Sequence, residues 1–190
     1  MTSSTEQLLA IARNYWRPDK DHHFKLELSP EAQRLQHRWE QELAQAGRWE
    51  TLLDRLEASL PDFTIGDATA TCDAAFRCAV YPPRGESLPR FRWVVVGCVS
   101  ILAPVYSVYG VRYEYSGANR VGEQLYLASL LPEMQAPADR VRRTIEEVFG
   151  SSSLPLEIAE TPIPLFVEPR EPPQTTLFHA LFTSQPERVP

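Results

Sequence analysis

The chain has 190 residues, 43% of them hydrophobic, which is enough for one domain with a real core and too much for global disorder. Nineteen basic against twenty-five acidic residues give a net charge of −6. That balance disfavours non-specific binding to nucleic acid or to an anionic membrane, and it suits a basic partner.

Three cysteines, Cys72, Cys78 and Cys98, do not make a disulfide framework. The opening MTSSTEQLL has neither a basic n-region nor an apolar h-region, so no signal peptide is expected. The longest apolar run, 94–106, is too short and too β-like to span a membrane. These features together predict a cytoplasmic protein.

In chain order, Ser4-x-x-Gln7 is a capping box, and Leu8, Ile11, Ala12 and Tyr15 follow at helical spacing, predicting a first helix over 5–16 stopped by Pro18. Ser29-Pro30 opens a second helix with Leu35, Trp39, Leu43 and Ala46 on one face, and Gly47 is placed to cap its end. Trp49, Leu52, Leu53, Leu56 and Leu60 give a third. The first sixty residues thus read as a mainly helical layer.

From residue 61 to 135 the period switches to two. Phe63 and Ile65 suggest a short strand, and Phe76, Cys78 and Val80 a second, stopped by Pro82-Pro83. Residues 84–87 form an exposed loop. The stretch 90–115 then reads as two long strands turning at Ala103-Pro104. Phe91, Trp93, Val95, Gly97, Val99 and Ile101 share one face of the first. Val94, Val96, Cys98 and Leu102 share the other, so this is a central strand covered on both sides. The second puts Val105, Tyr109, Val111, Tyr113 and Tyr115 on one face and Tyr106, Val108, Gly110, Arg112 and Glu114 on the other, with one face expected to meet water. After a turn at 116–119 a third strand is expected over 123–131. Short connections make the sheet an antiparallel meander.

Pro137 opens a helix within 136–150, with Val141, Ile145, Val148 and Phe149 on its buried face and Gly150 after it. In 151–190, Leu154, Leu156 and Ile158 suggest a late strand. A Pro-rich loop follows, then a short helix capped by Thr175 or Thr176 and carrying Leu177, Phe178, Leu181 and Phe182. The expected fold is a single α+β domain, with an antiparallel sheet of five or six strands and the N-terminal helices and one later helix packed on it.

Chemistry-bearing residues are sparse. Asp19-Lys20-Asp21-His22-His23 offers metal-ligand types, but no second cluster completes a set, so a solvated loop is expected and no metal or cofactor is assigned. His179 would need Cys78 or Ser100 in reach, with an orienting acid behind it, to act as a base; otherwise it is a hydrogen-bonded helix residue. Cys72 has no neighbouring histidine or cation to activate it. There is no phosphate-binding loop, no GxGxxG and no nucleophile elbow, so no catalytic residue is assigned.

The tyrosines crowding the meander either pack beneath the helices or line an interface. The candidate partner surface is Tyr106, Tyr109, Tyr113 and Tyr115 with Glu114, framed by 84–92 and by the Pro-rich loop Glu168-Pro169-Arg170-Glu171.

In layout the chain resembles bacterial immunity proteins that protect a cell from a polymorphic toxin. The likeness rests on an acidic α+β domain of this size, a meander followed by a single helix, and a closing TTLFHALFT after a Pro-rich loop. The resemblance implies a non-enzymatic protein that binds a toxin domain and occludes its active site, and the acidic net charge suits a basic, nuclease-like toxin. No residue transfers by motif. The alternatives are a small-molecule binder or enzyme with a pocket between sheet and helices, and an assembly or secretion adaptor.

Overall fold

Successive strands are joined by connections too short for a crossover, so each pairs with the next. In the computed structural model, which describes residues 4–20, 28–83, 85 and 90–190, β1 (Thr64–Asp67), β2 (Ala75–Tyr81), β3 (Phe91–Ser100), β4 (Val105–Ser116) and β5 (Asn119–Tyr126) lie side by side in that order, all antiparallel. A two-residue strand, β6 (Ser152–Ser153), pairs parallel to the start of β4. The fold is a single-domain α+β fold, as the sequence predicts.

The two faces of the sheet are covered differently. On one lie α2 (Pro30–Leu43), α3 (Gly47–Ser59) and α4 (Pro132–Phe149), whose Leu35, Trp39, Trp49, Leu52, Leu56, Met134, Val141 and Ile145 bury Phe76, Val95, Val99 and Tyr106. On the other lie α1 (Thr5–Ala12), α5 (Leu156–Ala159), α6 (Leu177–Leu181) and the chain between them, packed on Val94, Val96, Cys98, Tyr109 and Val111. The partition of β3 follows its period of two, and both of its faces are covered.

Close approach of α4 depends on two glycines. A Cβ on Gly97 would stand 2.6 Å from Val141 Cγ1 and 3.1 Å from Cys78 Sγ; one on Gly110 would stand 2.4 Å from Met134 Sδ. The missing side chains form the trough in which the helix lies.

Several expectations are corrected. The first helix ends at Ala12, tightening into i to i−3 bonds from Asn14 and Tyr15 before Pro18 is reached. It also leaves the N-terminal helical layer for the opposite face: Leu8 and Ala12 pack with α6, and Trp16 Nε1 donates to the Ala180 carbonyl at 2.8 Å. Gly47 does not cap α2 but begins α3. The Ala44–Ala46 link is closed by right-handed turn bonds that need no left-handed residue.

The helix expected from Pro137 starts at Pro132, whose absent N–H belongs to a group with no intrahelical partner anyway. Pro137 lies inside and buried, where sheet packing offsets the lost bond. The third meander strand is Asn119–Tyr126 rather than 123–131, because Gly117 and Ala118 alone make the hairpin loop, with Gly117 at φ +61°. The late strand shrinks to β6, and Leu156 and Ile158 instead lie in the one-turn α5. The β4 face carrying Tyr106, Val108 and Gly110 is covered by α4, and half-buried side chains on it begin only at Arg112.

Candidate functional site

The predicted tyrosine surface is not assembled. Tyr106 projects toward α4, is 1% exposed, and its hydroxyl donates to Glu146 at 2.5 Å. Tyr109, Tyr113 and Tyr115 project to the opposite face. Tyr109 is fully buried, edge-on to Phe178 with ring centroids 5.7 Å apart. Tyr113 is buried, and its hydroxyl donates to the Glu187 carbonyl at 2.8 Å. The rings are core because both covering layers extend over them. Of the five predicted residues, Tyr115 and Glu114 alone are only half-buried.

The outer end of the sheet is different. Burial begins only at Val94 in β3, ends at Tyr113 in β4, and no residue of β5 is buried. Antiparallel register sets Phe91 opposite Glu114, Trp93 opposite Arg112, Arg112 opposite Gln124 and Gly110 opposite Tyr126, so these residues share the α4 face, with Gly110 still beneath Met134, Trp93 and Tyr126 at the margin of that core, and Phe91, Arg112, Glu114 and Gln124 toward the open end.

Arg112 is the centre of the patch. Its guanidinium lies 4.8 Å from the Phe91 ring and 5.9 Å from that of Tyr126, and Nη2 donates to Gln124 Oε1 at 2.8 Å. The Tyr126 hydroxyl donates to the same oxygen at 2.7 Å. Arg90 stacks 5.2 Å from Phe91 and pairs with Glu114 at 2.6 Å. Phe91 stays 42% exposed between the two guanidiniums.

On the reverse side Arg92 lies 4.7 Å from the Tyr115 ring and Arg120 4.2 Å from that of Tyr113, with Arg120 also paired to Glu123. Guanidinium on aromatic orders an otherwise mobile side chain while leaving its N–H fork for a partner, each such contact being worth about 0.5–1 kcal/mol when exposed. Sequence reasoning placed 84–92 as a frame and did not identify Arg112. Its alternation with Phe91 and Tyr126 emerges only once the register is known.

The other candidates are accounted for by structure. Asp21, His22 and His23 lie outside the described residues, as do Arg84, Glu86 and Ser87. Among the described residues no three His, Cys, Asp or Glu gather as a metal set. His179 closes a capping box on α6: its Nδ1 accepts from the Thr176 backbone N–H at 3.0 Å, and burial, then the Arg170 cation, lowers its pKa to about 4. Cys78 belongs to the opposite core from the one containing Phe178, so it is no nucleophile for this ring.

Burial pushes the Cys78 thiol up to about 12 and the Cys98 thiol up also; Cys72 is exposed. A cleft of about 330 Å³ lies between α2, α3 and the β3–β4 turn, but its cations are engaged. Arg38 binds the Ile101 carbonyl and Glu42, and Arg48 binds the Val148 carbonyl. Among the described residues no helix is long and apolar enough to cross a membrane. No protein-family model, curated protein or solved structure matches the chain.

Proposed function

We propose that this protein acts by binding another protein, as a bacterial immunity or antitoxin-like inhibitor that covers a toxin domain. The observation that carries the reading is Phe91, held exposed between the guanidiniums of Arg90 and Arg112 at the uncovered end of the sheet. Arginine and aromatic side chains are the types that anchor protein interfaces, because they bury large area at low entropy cost and keep directional donors. The net charge of −6 would steer a basic domain toward the chain from a distance, while the patch makes the final contact. The action belongs in a reducing cytoplasm, in keeping with three unpaired thiols.

The test is capture from the native lysate by the tagged chain and by a Phe91→Ala, Arg112→Ala double variant of unchanged fold. A stoichiometric partner retained by the first and lost by the second is expected, and that partner should be toxic when expressed alone and harmless with this chain. Absence of any partner, or a partner that is harmless alone, would overturn the reading.

A further inference from the structure

We propose that the free edge of β5 takes an extended acidic segment of the partner as an added strand, with a carboxylate of that segment on the fork of Arg112. The inference rests on the protein-binding reading and names its contact. Among the described residues strand β5 pairs with β4 on one side only, and its eight residues span about 27 Å of edge on the other. An added strand would lie about 4.8 Å from β5. Arg112 already reaches across to Gln124 of β5 at 2.8 Å, so its fork points toward that position. A carboxylate there would accept a bidentate bond that Gln124 accepts singly.

Charge selects the occupant. The end of the sheet carries the guanidiniums of Arg90, Arg92, Arg112 and Arg120 against the carboxylates of Glu114 and Glu123. Arg90 and Arg120 are paired with those two, and among the described residues Arg92 and Arg112 have no carboxylate partner. A second copy would bring like charge against like charge. A nucleic acid would meet the two carboxylates within the patch and the −6 of the whole chain. An acidic extended segment satisfies both the backbone edge and the guanidiniums that have no carboxylate partner among the described residues.

The experiment uses the full chain, isotope-labelled and followed by its amide signals, with three probes: an octapeptide alternating Glu and Val, its Lys–Val counterpart, and an eight-residue oligothymidylate. The Glu–Val peptide is expected to shift and protect the amides of 119–126, with the other two silent and the chain monomeric. Arg112→Gln should weaken that binding roughly tenfold, the loss of one charged hydrogen-bonded contact. Gln124→Glu, an exposed change that fills the fork from within the chain, should weaken it at least as much.

Binding of the Lys–Val peptide or the oligonucleotide as well as the acidic peptide, no binding at all, shifts confined to other elements, or a dimer through β5 would each overturn the proposal. A toxin captured equally by the wild type and by Arg112→Gln would overturn the β5 contact while leaving the inhibitor function standing. Tight docking of the acidic peptide without any toxic partner in the lysate would do the reverse.

Discussion

A Cβ placed on Gly97 would stand 2.6 Å from Cγ1 of Val141. Val141 is β-branched and lies in the middle of α4, so the atom in the way cannot swing aside. The equivalent obstacle at Gly110 is the Met134 thioether, part of a long unbranched side chain. Gly97→Ala should therefore cost about 2–3 kcal/mol and Gly110→Ala about 1 kcal/mol, an order that denaturant titration would read directly. Equal costs would mean that α4 moves as a body rather than repacking locally.

The hydroxyls of Tyr106 and Tyr109 should differ in what they contribute. Tyr106 donates to Glu146 at 2.5 Å, and its loss in Tyr106→Phe should cost about 1–2 kcal/mol. The buried Tyr109 hydroxyl and Arg77 Nη1 lie close enough to interact, with the Cys98 thiol beside them, but neither atom makes a hydrogen bond of good geometry. Tyr109→Phe removes a polar contact to Arg77 that lacks good hydrogen-bond geometry, so it should cost less than Tyr106→Phe, about 0.5 kcal/mol or under.

Stability should also fall on mild acidification. The imidazole of His179 titrates near 6.5 when unfolded and near 4 when folded, because burial and the Arg170 cation oppose its protonation. The unfolded chain takes up the proton first, so this contribution is intact above pH 6.5 and is lost as the pH falls toward 4. A fully buried group would lose about 1.4 kcal/mol per pH unit in that window; the half-buried ring should lose about 2 kcal/mol in all. His179→Gln keeps an N3 acceptor for the Thr176 N–H and should flatten that part of the profile.

Thiol reactivity separates the three cysteines. Cys72 alone is exposed, whereas Cys78 and Cys98 are buried with thiols pushed up by desolvation. A disulfide reagent at pH 8 should modify one thiol per native chain and three after denaturation, and Cys72→Ser should abolish the native reaction. Two fast native thiols would place one of the buried strands closer to solvent than the core described above.

What could be read from the residues was the part governed by local periodicity. The two-sided apolarity of β3, the capping box at Ser4, a threonine cap at Thr175 or Thr176, and Gly150 placed after α4 each follow from a rule spanning a few positions. Choosing between Pro132 and Pro137 as the start of α4 required knowing which turn faces the sheet. The placement of Tyr106 and Tyr109 in separate cores was implicit in their odd separation, but their burial depended on layers contributed by distant sequence. Arg112 was legible only as an alternating strand residue, since its company comes from β3 and β5 through pairing.

The Trp16 to Ala180 hydrogen bond joins positions 164 apart in the chain. Leu8 and Ala12 are made well before the residues that bury them, Leu177 to Phe182. The first helix and the side of the sheet it helps to cover must therefore wait, unsatisfied, until α6 has been made. Such long-range closure is slow. During that interval the waiting surface is open to chaperones and to misassociation, and the newborn chain is at its most vulnerable before α6 docks.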